Sequence, residues 1–304
     1  MGRNYTRIRK GFTVIEVVLF FAISGLLIVG LLLGMTNSIA RQRYQDSVQD
    51  LADFLKTQYY AVSNPSIPEW TGLDLIDYRA AAASPDPRQC GFRDTITDIN
   101  SIPVGTTRRG QSRCQLYGKL IVFGEDPTNP DRANIVNTYL VVGMDGRSGP
   151  LINDPRQDLM MSDIFIPGLN LSDSYALQYS ATAENVANAD AIEAAILIVR
   201  PPRSGGVNTL IADFSASGGA IINPGVTATW TTLFGNGDDP ARVFFPNTIF
   251  NTTNGFRVDR DLDICIGSYD VSVSGPGRRQ IRIKGGSGNA SGVEVLSEGE
   301  STCS

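Results

Sequence analysis

The amino-acid sequence predicts an α+β protein in which a long N-terminal α-helix, membrane-spanning and then amphipathic, packs on a β-rich globular domain. Three observations carry this. Residues 12–35 form a mainly apolar run with one charged group, Glu16. Residues 38–63 hold no glycine or proline and place an apolar residue at every third or fourth position. After Pro65 the chain breaks into short β-branched runs bounded by Gly, Pro, Asn and Asp. The expected division is a leader over 1–11, a transmembrane and stalk helix over 12–64, and an extracytoplasmic β-rich domain over 65–304.

The leader, MGRNYTRIRKG, carries Arg3, Arg7, Arg9 and Lys10 and no acid. The apolar run behind it is long enough to cross about 30 Å of hydrocarbon as a helix. Four cations before the run, and acids soon after Arg41 and Arg43, keep the leader cytoplasmic and send the remainder outside. A secretory signal would show a small-residue cleavage site after its apolar core, and this chain has none.

The helix should continue past the membrane. Tyr44, Val48, Leu51, Leu55 and Tyr59 form an apolar stripe, and Asn64-Pro65 stops it. At 1.5 Å per residue, a helix from Phe12 to Ser63 would be roughly 78 Å long. Gly25, Gly30 and Gly34 weaken it locally. Strands are expected at 118–124, 135–143, 207–214, 255–267, 269–274 and 279–284. Residues 183–199 read as an alanine-rich helix running into a strand. Residues 65–115 and 200–206 read as loops or insertions.

Composition narrows the chemistry. Of 304 residues 42% are hydrophobic, enough for a sizeable core, and 31 glycines with 16 prolines imply many turns. The formal charge of -5 gives no overall attraction to nucleic acid or anionic membranes. Histidine is absent, which removes the commonest general base and transition-metal ligand. No serine or cysteine sits in a nucleophile context, so neither enzymatic activity nor a cofactor is expected. Cys90, Cys114, Cys265 and Cys303 lack metal-site spacing and, in an exported region, read as two disulfides with three connectivities open. The sequence-local choice is Cys90–Cys114 with Cys265–Cys303. Each such bond would stabilise the fold by roughly 3 kcal/mol. The turn Gly124-Glu125-Asp126-Pro127-Thr128-Asn129-Pro130-Asp131 is oxygen-rich but lacks EF-hand spacing, and reads as a turn rather than a metal site.

The junction Lys10-Gly11-Phe12-Thr13-Val14-Ile15-Glu16 resembles the class III signal of type IV prepilins. In that family a glycine ends the basic leader, an aromatic opens the apolar stretch, and a glutamate sits fifth in the mature chain. The resemblance implies cleavage after Gly11 by a membrane prepilin peptidase and N-methylation of Phe12. It also implies assembly through Phe12 and Glu16, with Glu16 neutralised by the Phe12 amine of a neighbouring subunit. A carboxylate inside a membrane span costs a few kcal/mol, so such pairing gives it a purpose. Two further stretches are similar to the GspH/FimT branch of pseudopilins. These are Cys114-Gln115-Leu116-Tyr117-Gly118-Lys119-Leu120-Ile121-Val122-Phe123, and Ile264-Cys265-Ile266 with Val271-Ser272-Val273-Ser274 and Gly275-Pro276-Gly277-Arg278.

The implied role is structural: a minor pilin or pseudopilin, held in the inner membrane before assembly and then extracytoplasmic in a pilus or pseudopilus. Its partners would be other pilin subunits, the peptidase and the inner-membrane assembly platform. Alternatives are a DNA-binding or adhesive pilin and a large major pilin. For DNA the candidates are Arg278, Arg282 and Lys284, which period two places on one face. Their turn resembles a Gly-Arg-x-Arg element of family members that take up DNA, with Gln280 at its fourth position. The alternative for this face is a solvated edge blunted by charge.

Overall fold

The computed structural model describes residues 13–64, 75–77, 90–92, 114–124, 135–144, 159, 163–166, 172–179, 181–186, 192, 194–201, 206–213, 243–244, 250, 255–268, 278–297 and 299–303. Within these the fold is α+β: one N-terminal helix and antiparallel sheets.

Helix α1 runs Val14–Ser63. Thr13 caps it in extended conformation, and with Glu16 completes a capping box that satisfies backbone donors the first turn would otherwise leave open. At the other end the Asn64 N–H donates to Tyr60 O (3.0 Å), and Pro65 cannot extend the ladder. The segment Val14–Leu32 is long and apolar enough to cross a membrane, and none of it is buried. From Tyr44 onward the helix changes character: Tyr44, Val48, Leu51, Ala52, Leu55, Tyr59 and Val62 are all buried, at the three- and four-residue steps of one face.

The strands are β1 (Leu75–Asp77), β2 (Cys90–Phe92), β3 (Cys114–Gly124), β4 (Ile135–Met144), β5 (Asp163–Ile166), β6 (Ser172–Ala176), β7 (Ala181–Asn185), β8 (Ala194–Val199), β9 (Asn208–Asp213), β10 (Val243–Phe244), β11 (Leu262–Ser268), β12 (Arg279–Ile283) and β13 (Val293–Leu296). A seven-stranded sheet has the order β10-β5-β4-β3-β8-β9, with β6 also on β4; a four-stranded sheet has the order β13-β12-β11-β7; β1 and β2 form a pair. Both faces of the larger sheet are covered. On β3, Ile121 and Phe123 join one apolar cluster while Leu120 and Val122 join another; on β8, Ile196 and Ile198 separate from Leu197 and Val199 in the same way. The first cluster also holds Leu51, Leu55 and Tyr59 of α1 and Ile264, Ile266, Ile281 and Ile283 of the smaller sheet. A strand buried on both faces needs an unbroken apolar run, which is what AAILIV supplies to β8.

Three expectations are corrected. Residues 183–185 are strand, not helix: β7 pairs with β11, and Ala181 and Ala183 are buried there. Small side chains fit this crowded layer, and tertiary contact overrides alanine's helix preference. The strand expected over 255–267 begins only at Leu262. Before it, Arg257 makes an isolated bridge to Ile211, and Asp261 Oδ1 accepts from Gly285 N (3.1 Å) instead of facing a ladder. Segment 65–115, read as loop, contains β1, β2 and the start of β3. Residues 269–274 lie outside the described residues.

Candidate functional site

The start of α1 holds the first candidate. Glu16 is exposed, and its Oε2 accepts from Thr13 N and Thr13 Oγ1, both at 2.9 Å, while Glu16 N donates to Thr13 Oγ1 (3.4 Å). The carboxylate therefore has a partner in its own chain, Thr13, the second residue after the expected cleavage site. Gly11 and Phe12 lie outside the described residues.

Cys265 and Cys303 form a disulfide, with Cα atoms 5.7 Å apart. Cys265 faces Gln280 across the β11–β12 pair, and Gln280 Oε1 accepts from Thr302 N (2.7 Å). The C-terminal segment is thus tied to the smaller sheet by a covalent bond and a buried amide. The side chains of Cys90 and Cys114 lie outside the described residues, as does the turn at 125–131.

Arg278, Arg282 and Lys284 each meet a carboxylate. Arg278 Nη1 is 3.1 Å from Glu184 Oε2. Arg282 forms a two-pronged pair with Asp263, Nε to Oδ1 at 2.7 Å and Nη2 to Oδ2 at 3.0 Å, which raises the guanidinium pKa further. Lys284 Nζ lies 2.6 Å from Glu294 Oε1 on β13. The alternating acids of the preceding segment are engaged as well: Asp259 takes two hydrogen bonds from Arg257, at 2.8 and 2.6 Å.

Two arrangements lay beyond the reach of the sequence. Tyr44 Oη donates to Ile266 O (2.8 Å) and accepts from Arg279 N (2.7 Å), so one helix side chain closes the open end of the β11–β12 ladder. Burial pushes its phenol pKa up. Its partners lie more than 200 residues away, and no local pattern encodes that. The second is the turn Gln178–Ala181, closed by Ala181 N to Gln178 O (3.2 Å). Tyr179 there has φ 56°, a left-handed conformation costing about 1–2 kcal/mol for a residue with a side chain. Its half-exposed ring lies under Arg43 of α1, whose guanidinium carbon is 5.6 Å from the ring centre.

No family model matches the chain, and neither a curated protein nor a solved structure does. Among the described residues no group of acids and cysteines could hold a metal ion.

Proposed function

We propose that this chain is a structural subunit of a type IV pilus-like filament, present in few copies, cut after Gly11 and assembled through α1. The observation that carries the reading is the Gly11-Phe12 junction leading straight into a capped helix whose first nineteen described residues, Val14–Leu32, hold one charge, Glu16, are apolar enough to cross a membrane, and are unburied. A free-standing apolar helix must be covered, by lipid before assembly and by neighbouring helices after it. The buried second half, Tyr44 to Val62, supports a stalk that carries the globular domain. A domain of about 240 residues is bulky for a subunit repeated thousands of times, which favours a minor one. The role is mechanical rather than catalytic.

Processing is tested by mass spectrometry of the native protein, expected to begin at Phe12 with one added methyl group. An intact Met1 terminus in filaments would sink the reading. Glu16 needs a sharper test, because its capping bonds already give it a local role. Glutamine completes a capping box as well as glutamate does. Glu16→Gln should therefore keep the helix and insert normally, yet assemble poorly, because only the charge can neutralise a neighbour's Phe12 amine. Normal incorporation of this variant would leave Glu16 as a cap alone.

A further inference from the structure

The strained Tyr179 turn sets its ring against Arg43 of α1. Its backbone conformation suits glycine or asparagine, yet it carries an aromatic ring that is half exposed. Beside it, Met35, Ile39 and Arg43 succeed one another at four-residue steps along α1, and Met35 and Ile39 are exposed apolar side chains. An exposed apolar stripe thus runs from the end of the apolar helix to a paired arginine and tyrosine.

We propose that the Gln178–Ala181 turn rests on the outer headgroup layer of the bilayer, with Tyr179 as its interfacial contact and Arg43 facing the lipid phosphates. The inference rests on α1 spanning the membrane. If hydrocarbon begins near Glu16, about 20 helical residues bring its far boundary to about Thr36. Arg43 then starts about 10 Å beyond that boundary at 1.5 Å per residue. Helical side chains lean toward the N-terminus, here toward the membrane, so the guanidinium falls back into the headgroup layer. Tyrosine favours this depth, where its ring meets apolar chains and its hydroxyl meets water. Arg41, also exposed, adds a second cation at the same level, and the first acid after Glu16 is Asp46. Phospholipid phosphate suits that charge pattern.

The full-length protein, with Trp70 and Trp230 changed to phenylalanine and Tyr179→Trp as the only tryptophan, is reconstituted in phosphatidylglycerol–phosphatidylethanolamine vesicles. Lipids brominated near the headgroup end of the acyl chains should reduce its emission about twofold, and lipids brominated near the chain ends should reduce it less, as for a residue of the aromatic belt. Leu26→Trp, in the middle of the span, serves as the control and should show the reverse order. A quenched Leu26→Trp beside an unquenched Tyr179→Trp overturns the inference and leaves the membrane span standing; a contact with a second subunit would give that result. If neither is quenched, the span and the inference fall together. Arg43→Glu should weaken the shallow quenching at Tyr179→Trp, and unchanged quenching would overturn the assignment to Arg43.

Discussion

Single residues decide where this fold has no slack. Gly118 follows a bulge at which Tyr117 drops out of the β3–β4 register and its carbonyl accepts from Arg200 N instead. A Cβ on Gly118 would run into the Ile198 carbonyl and sit 2.8 Å from Val199 Cα, both backbone atoms of β8. Backbone cannot turn aside as a side chain can, so Gly118→Ala should cost about 1–3 kcal/mol, the range for overpacking. The urea midpoint of the detergent-solubilised protein reads this directly. Tyr59 makes a second prediction. Its hydroxyl is 2.8 Å from Thr209 Oγ1 in the apolar core, and burial pushes its pKa up from 10 to about 12. As pH rises above about 10, the unfolded chain releases the phenol proton while the folded chain keeps it. Stability is therefore intact below about pH 10 and falls by up to about 1.4 kcal/mol per pH unit as pH climbs to about 12. Burial shifts Tyr139 in the same direction. Urea midpoints taken across that range should fall for wild type and fall less steeply for Tyr59→Phe.

Elements differ in how far they can be read from local sequence. Helix α1 was legible to within two residues at each end, Val14–Ser63 against 12–64, because its apolar period is long and Pro65 ends it. Strands β3, β4, β9 and β12 carry β-branched runs and were legible too. The pair β1–β2 was not, at three residues a strand, and neither was β7, whose alanines signal helix until β11 pairs with them. Of the candidate site, Glu16 is singled out in the sequence by its position after the Gly11-Phe12 junction, and what the structure adds is its capping bonds to Thr13. Tyr44, Glu184 and Tyr179 were not legible, because their meaning comes from partners elsewhere in the chain. The disulfide belongs to this scale, because it tethers an element otherwise held by the hydrogen bonds of Gln280. With a sequence separation of 38, Cys265–Cys303 restrains the unfolded chain by about 4 kcal/mol on the chain-entropy estimate. Cys303→Ser should lower unfolding free energy by about that amount or somewhat less, while circular dichroism keeps the wild-type strand signal below the transition. An unchanged urea midpoint would show that the bond restrains little.

For the whole molecule, charge decides whether the basic face near Arg278 acts as a nucleic-acid surface. The chain carries 31 acids against 26 bases, so long-range attraction to a polyanion is absent and any binding must be local. Locally, each of Arg278, Arg282 and Lys284 already meets a carboxylate, and the Arg282–Asp263 pair uses both prongs of the guanidinium. A phosphate would have to displace these acids and would leave them beside the nucleic acid, repelling it. Three full phosphate contacts on duplex DNA would give a log–log salt slope of roughly -2.7; exchange of one anion for another gives much of that gain back. The solubilised full-length protein should therefore fail to retard DNA even at low salt. A shift at low salt that Arg278→Ala with Arg282→Ala abolishes, while the urea midpoint holds, would reverse this conclusion. It would mean that the acids yield to phosphate, and it would restore DNA capture as a function of the globular domain.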